Sequence, residues 1–207
     1  MKIENRKLKI NRGFTLIELL IVITLLGILA VAVLSAINPI EQINRSRDTA
    51  TRSDAEQLIS AIERYYATRG YYPWVEGADE DYQLDWQEVT DTWVDAGGET
   101  VLGDNLATGG TAELKETFVN RITDSSYNPL YIFNNGTQGD STYVCFQPQS
   151  GAFEEEAEDR CLDVDGNLDV PSDYPASGDI VATGASICGG DVNGDDSDTE
   201  EYWICLP

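Results

Sequence analysis

The chain has 207 residues, no histidine, and 37 acidic against 13 basic residues, which gives a formal net charge of −24. Beyond residue 70 only Lys115, Arg121 and Arg160 are basic. Because phosphate contacts require lysine and arginine, this composition argues against sequence-independent nucleic-acid binding by the C-terminal part. The acidic composition favours a soluble outer surface or a surface that collects cations. An alternative explanation is that the whole proteome is acidic and adapted to salt.

One long apolar run occupies residues 14–37, where the only polar side chains are Thr15, Glu18, Thr24 and Ser35. As a helix with about 1.5 Å rise per residue it reaches roughly 36 Å, which is enough to cross a bilayer core of about 30 Å. A carboxylate at membrane depth costs a few kcal/mol or more, and the isolated helix offers it no partner. Glu18 is therefore predicted to be functional.

A basic leader precedes the apolar run. Residues 1–13 contain the basic residues Lys2, Arg6, Lys7, Lys9 and Arg12 and the single acid Glu4. Such a leader is predicted to stay on the cytoplasmic side of the membrane. Gly13 lies before the apolar run, whereas an ordinary secretory signal is cut after its apolar region. The spacing predicts removal of residues 1–13 alone, with the apolar helix kept.

Residues 12–20, Arg-Gly-Phe-Thr-Leu-Ile-Glu-Leu-Leu, resemble the class III signal of type IV prepilins and pseudopilins. The resemblance implies cleavage between Gly13 and Phe14 by a prepilin peptidase, followed by N-methylation of Phe14. It also implies that Glu18, the fifth residue of the processed chain, acts in assembly. A plain single-span anchor with a stray glutamate is the alternative interpretation.

A second helical half is predicted for residues 39–69. Pro39 lacks an amide donor and disrupts the turn before it, which separates this half from residues 14–38. Apolar side chains recur at three- and four-residue spacing and form one face that should pack on a head domain: Ala55, Leu58, Ile59, Ile62, Tyr65 and Tyr66. Gly70 is predicted to end the helix. Residues 58–73, which close on Gly-Tyr-Tyr-Pro, also resemble the end of the first helix in pilins and pseudopilins.

The remaining residues, 70–207, are predicted to form a small head. Short helices are expected at residues 84–94 and 114–122, and residues 96–111 are expected to be exposed. Strands are predicted at residues 130–133, 142–146 and 201–206, with a turn at the Asn-Asn-Gly of 134–136. The fold class is α+β, with a small antiparallel sheet on the second half of the long helix, as in type IV pilins. Asn135 matches a glycosylation acceptor, which we attribute to chance.

Four cysteines lie in the last third of the chain: Cys145, Cys161, Cys188 and Cys205. An even count on the outer side of a membrane predicts two disulfides. The pairs Cys145–Cys161 and Cys188–Cys205 are favoured because each joins a strand candidate to a nearby segment, although two other connectivities are open. Zinc is the disfavoured alternative, since the sequence has neither a Cys-x-x-Cys pair nor a histidine.

Two acidic segments resemble the start of EF-hand and dockerin calcium loops, with oxygen side chains alternating around a glycine turn. Their candidate ligands are Asp163, Asp165, Asn167 and Asp169 in the first and Asp191, Asn193 and Asp195 in the second. The usual glycine and bidentate acid of such loops are missing, so plain acidic turns are the competing interpretation.

The sequence predicts no catalytic residues and no enzyme activity, because it lacks histidine, a nucleophile elbow and a phosphate loop.

The resemblance implies a structural pilin. The precursor would be a single-pass inner-membrane protein, in contact with lipid, prepilin peptidase and an assembly platform. It would then join copies of itself and other pilins in an extracellular type IV pilus that serves adhesion, motility or DNA uptake. The alternatives are a pseudopilin of a type II secretion or competence machine and, in a different class, a membrane-anchored adhesin or sugar-binding module that never polymerises.

Overall fold

The computed structural model describes residues 13–36, 38–78, 80, 82–108, 112–137, 139–162, 167, 169–175, 187–188 and 202–207. By its internal contacts the chain divides into two compact units, Met1–Ile40 and Glu41–Pro207. Each unit is described by itself below.

The first unit contains the predicted apolar helix. Helix α1 spans Leu16–Ala36, and its segment Leu16–Leu34 has a mean hydropathy of 2.9 with none of it buried. Among the described residues this is the one helix long and apolar enough to cross a membrane. The prediction of an apolar helix of spanning length is confirmed. Such an unburied apolar surface is normally covered by lipid or by protein.

Helix α2 spans Pro39–Arg69. Proline at the first helical position is favourable because its missing N–H would have no helical acceptor there. The helix ends before Gly70, whose φ of 81° lies in the left-handed region, and the Gly70 N–H donates to the Tyr66 carbonyl at 2.7 Å. The predicted start and end of the amphipathic half are confirmed.

The residues after α2, 70–207, are called the head. Four strands form one antiparallel sheet in the order β1 (Leu84–Glu88), β2 (Tyr131–Asn134), β3 (Thr142–Phe146) and β4 (Ile204–Leu206). The strand predictions at 130–133, 142–146 and 201–206 are confirmed within a few residues. Gly136 has a φ of 84° in the β2–β3 turn, and a Cβ there would approach backbone atoms of Gln83 to 2.8 Å.

Both faces of the sheet are covered, since successive side chains of a strand point to opposite sides. Val144 and Phe146 belong to the larger hydrophobic cluster, which includes Leu58 and Ile62 of α2. Tyr143 and Cys145 belong to a second cluster on the other face, which holds all four cysteines together with Trp86 and Trp203. The predicted α+β architecture is confirmed, and the cysteines belong to the face that is turned away from α2.

Two predictions for the segment between α2 and β2 were wrong. Residues 84–94 begin with strand β1 instead of a helix, because β1 pairs with β2 through Gln87–Ile132 and Glu88–Tyr131. Residues 96–111 are not wholly exposed, since a π-helix at Val101–Leu106 buries Val101, Leu102 and Leu106.

The predicted helix at 114–122 is confirmed as α3, Glu116–Ile122. Helix α4, Gly151–Cys161, was not predicted.

Candidate processing and assembly site

The junction between Gly13 and Phe14 is open. A Cβ added to Gly13 would meet no atom within 4 Å, and the Phe14 side chain is 83% exposed. No contact with the described residues therefore requires glycine at position 13. The peptide bond between the two residues is accessible to a large molecule that approaches the backbone closely.

The first turn of α1 is closed by a capping box that the sequence analysis missed. Oε2 of Glu18 accepts from the N–H and the hydroxyl of Thr15, both at 2.9 Å. In return the Glu18 N–H donates to Oγ1 of Thr15 at 3.2 Å. Threonine before a helix with glutamate three residues later is the sequence signature of this motif, and it satisfies helix donors that otherwise have no partner.

The capping box corrects the expectation that the isolated helix offers Glu18 no partner. Thr15 occupies one carboxylate oxygen, while the structure gives Oε1 no hydrogen bond to a described residue. Glu18 thus has a local structural role and still presents one free oxygen and its negative charge beside residue 14. A cation placed there would interact with the carboxylate without breaking the cap.

The rest of α1 presents a surface suited to helix packing. Thr24, Gly27, Ile28 and Val31 line a shallow groove on one side of the helix. The Thr24 hydroxyl donates to the Ile21 carbonyl at 2.8 Å, so it needs no partner from outside. A glycine on a lipid-exposed helix allows another backbone to approach closely, which favours helix–helix contact in an apolar medium.

Helix α2 holds the head through charged contacts next to its apolar face. The fully buried Asp48 accepts from the backbone N–H of Gln149 at 3.0 Å and of Ser150 at 2.9 Å. Its Oδ2 also accepts from the Ser150 hydroxyl at 2.5 Å. Ser150 is the N-cap of α4, so a carboxylate from α2 fixes where α4 begins. Negative charge at this end of a helix is favourable.

Three ion pairs join α2 to the head, one of them between Arg64 and Glu113 at 2.7 Å. Arg52 donates to Glu156 at 2.5 Å, and Arg121 donates to the mostly buried Asp54. Burial raises the pKa of Asp54 above its ordinary value, although the Arg121 charge opposes the shift. Burial also raises the pKa of Glu156, but hydrogen bonds from Arg52 and Arg160 outweigh it and leave that pKa lowered.

The cysteines form two disulfides, and the predicted pairing was wrong. Cys145 bonds to Cys205, and Cys161 bonds to Cys188. Strands β3 and β4 pair so that Cys145 lies directly opposite Cys205, with their Cα atoms 4.0 Å apart. Strand pairing therefore overrides the preference for a partner in a nearby segment, and it leaves Cys161 at the end of α4 to bond with Cys188.

Asp173 and Tyr174, which follow α4 in the chain, make polar and aromatic contacts with β3 and the residue before it. The Ser141 N–H donates to Oδ2 of Asp173 at 2.9 Å and thereby lowers the pKa of Asp173. The Tyr143 hydroxyl donates to the other oxygen of Asp173 at 3.3 Å. The ring of Tyr174 packs edge-on against Tyr143 at 5.2 Å, and burial raises the pKa of Tyr174 to about 12.

Most of the candidate calcium ligands lie outside the described residues: Asp163, Asp165, Asp191, Asn193 and Asp195. Asn167 and Asp169 are described and exposed, and the Asp169 N–H donates to the Cys161 carbonyl at 2.9 Å. Within the described part of the chain no group of three or more acidic or cysteine side chains is arranged to hold a metal ion. Calcium binding stays a prediction.

Comparison with known families gives one match. Residues 8–34 match the prokaryotic N-terminal methylation motif. Comparisons with curated proteins and with solved structures gave no match. The matched residues contain Gly13, Phe14 and the Thr15–Glu18 capping box together with most of α1. The chain therefore carries the N-terminal methylation motif that forms the class III signal of type IV prepilins and pseudopilins.

Proposed function

We propose that this chain is a structural subunit of a type IV pilus. The supporting observation is the order of three features: an open Gly13–Phe14 junction, a carboxylate at Glu18, and an apolar helix with an exposed surface. A prepilin peptidase cleaves after Gly13, and Phe14 becomes the N-methylated first residue. The family motif at these residues supports a membrane-anchored precursor of this kind.

The apolar surface of α1 explains why the subunit first resides in a membrane and then polymerises. In the precursor, lipid covers the helix. In a filament, the α1 helices of neighbouring subunits cover one another, so the apolar surface stays out of water in both states. The transfer from lipid to protein is then driven by close packing and polar contacts between helices, because burial from water is common to both states.

Glu18 supplies such a polar contact. Processing creates a positively charged amine at Phe14, and a neighbouring subunit can place that amine beside the Glu18 carboxylate. Burial strengthens their attraction while desolvation opposes it. A subunit added in the wrong axial position leaves both charges unpaired in an apolar environment, so the pair favours one stagger between subunits.

Intact-mass measurement of membrane-extracted protein tests the processing step. The expected mass is that of a chain that starts at methylated Phe14 and keeps α1. A chain that retains residues 1–13, or one that has lost α1, contradicts the proposal.

Three variants separate the charge of Glu18 from its capping role. Glu18→Ala removes both, Glu18→Gln keeps a side chain that completes a capping box, and Thr15→Ala removes the cap while it leaves the carboxylate. We expect both Glu18 variants to be cleaved normally and to lose filaments, and Thr15→Ala to assemble. Filament yield is measured against the cellular precursor level. Normal filaments from Glu18→Gln would show that the charge does not direct assembly.

Isolation of surface filaments distinguishes the pilus from the alternatives. The two disulfides, the proline at the start of α2 and the acidic composition suit a head that is exposed outside the cell. We expect purified cell-surface filaments to contain this chain. Its restriction to a secretion or competence machine would favour a pseudopilin, and a processed chain that never leaves the membrane would favour an anchored module.

A further inference from the structure

The head covers the first turns of α2 only in part, through a hydrogen bond from the Asn44 side-chain amide to the Gln149 carbonyl at 2.9 Å. Asp48 is the first buried residue of α2, and residues 41–47 are exposed or half-buried. Ile43, an apolar residue in this stretch, is 54% exposed. We call residues 41–47 the collar of α2. Its exposed side chains, which include Ile43, Arg45 and Arg47, are available to a molecule other than the chain itself.

The collar carries two arginines that form no ion pair with a described residue. Three arginines of α2 are engaged: Arg52 with Glu156, Arg64 with Glu113, and Arg69 over the ring of Tyr65. Arg45 and Arg47 are exposed, and neither forms an ion pair or a ring contact with the residues that the structure describes. Arginines without an ion pair are unexpected in a chain with 37 acidic and 13 basic residues, because acidic partners are abundant.

The two arginines point to opposite sides of α2. Residues two apart on a helix are separated by about 200° around its axis, so Arg45 and Arg47 cannot serve one flat patch. Two cationic groups on opposite sides suit an element that has a different neighbour on each side. Head-to-tail contacts that do not close into a ring generate open helical filaments, in which each subunit is flanked in this way.

We propose that the collar is a docking surface for two further copies of this chain, with Arg45 and Arg47 each contacting the acidic head of a different copy. This inference rests on the proposed polymerisation. Charge complementarity selects the occupant, because the head of any copy is strongly acidic: beyond residue 70 it has only three basic residues. On the exposed side of α4, for example, Glu154, Glu155, Glu158 and Asp159 form no ion pair with a described residue. Without the arginines, acidic heads brought together in a filament would repel one another.

Charge reversal tests the proposal in cells that make filaments from the wild-type chain. Arg45→Glu and Arg47→Glu are each expected to reduce filament yield at least tenfold, with precursor level, membrane insertion and cleavage after Gly13 unchanged. Arg45→Lys and Arg47→Lys are expected to keep most of the yield, since the proposal requires charge and no bidentate contact. The matched control is Lys115→Glu, which makes the same charge change at an exposed head residue without an ion pair to a described residue.

The outcomes separate this inference from the proposed function. Wild-type yield from both reversed variants overturns the collar as a docking surface and leaves polymerisation intact, whereas absence of filaments from the wild-type chain removes polymerisation itself. An equal loss from Lys115→Glu shows a general effect of added negative charge and also overturns the proposal. If the reversed variants instead reduce the membrane-extractable precursor, the arginines bind the membrane surface and not a second copy.

Discussion

Replacing Asp48 with alanine removes a fully buried carboxylate that joins α2 to the start of α4. Two backbone N–H groups, of Gln149 and Ser150, then lose their acceptor, and the Ser150 hydroxyl must find another. Ser150 is itself completely buried, so water does not readily replace the lost carboxylate. The change therefore leaves orphaned donors at the N-terminus of α4, where unsatisfied donors are already concentrated.

The expected loss is about 3 kcal/mol in the free energy of unfolding. Each buried donor left without a partner costs about 1–3 kcal/mol, and the two buried donors of Ser150, its N–H and its hydroxyl, together cost about 4 at the middle of that range. Alanine has a higher helix propensity than aspartate, which offsets up to about 0.7 kcal/mol of this loss. Asp48→Asn keeps one acceptor oxygen, so its loss should fall between those of wild type and alanine.

Guanidinium unfolding of the detergent-solubilised full chain measures this loss through tryptophan fluorescence. All four tryptophans lie in the head and are buried, so their emission reports its unfolding. At an unchanged slope, the shift in midpoint gives the change in stability. Glu63→Ala is the matched control, because it removes an exposed acid from the same helix and should change stability by less than about 0.5 kcal/mol.

A loss below about 1 kcal/mol for Asp48→Ala would refute the reasoning, since it would mean that the orphaned donors find partners freely. Hydrogen exchange adds a local check. The amides of Gln149 and Ser150 should exchange faster in the variant even under conditions where the rest of the head stays protected.

The remaining predictions concern the disulfides, acid and calcium. Replacing Cys145 and Cys205 together by alanine should cost about 4 kcal/mol and replacing Cys161 and Cys188 about 3.5 in the chain-entropy model, from loops of 60 and 27 residues; non-reduced peptide mapping that shows other pairs would contradict the structure. Because the pKa of Asp173 is lowered on folding, its stabilisation is present above the unfolded value near 4 and is lost as pH falls below it, so Asp173→Asn should flatten the stability profile below about pH 4. Millimolar calcium should raise the melting temperature relative to chelator, and equal temperatures would favour plain acidic turns.

The sequence predicts best the elements whose signals are local. Hydrophobic length defines α1, Gly70 ends α2, and the Asn-Asn-Gly turn lies between β2 and β3 because glycine adopts the positive φ of 84° required at Gly136. Each signal depends on residues within a few positions of one another. Such features follow from backbone sterics and helix length without knowledge of the rest of the fold.

The sequence predicts poorly what long-range pairing decides. Strand β1 has apolar residues that also fit a helix, and only its pairing with β2 selects the strand. Helix α4 has a narrow apolar stripe of Phe153, Ala157 and Cys161, and one of these three is also a disulfide partner, so the stripe is a weak local signal for a helix. The Cys145–Cys205 bond was missed for the same reason, because it depends on β4 returning from the end of the chain to β3.

Among the described acidic residues Asp48 and Asp54 are the buried ones, and both lie on α2. The apolar contacts of this helix repeat every three or four residues, so a shift along its axis by one turn would preserve much of the hydrophobic burial. The same shift would separate Asp48 from Ser150 and Asp54 from Arg121, and a buried charge without its partner costs about 3–5 kcal/mol. The two carboxylates would thus specify the axial register of α2 on the head more than its stability. On this hypothesis the double replacement Asp54→Leu with Arg121→Met keeps stability within about 1–2 kcal/mol, because Asp54 is the buried member of the pair and an apolar residue in place of a buried, paired charge is often neutral. Nuclear magnetic resonance spectra of that variant combined with Asp48→Ala should show more than one set of amide signals for α2, and a single set at unchanged positions would contradict a role in register.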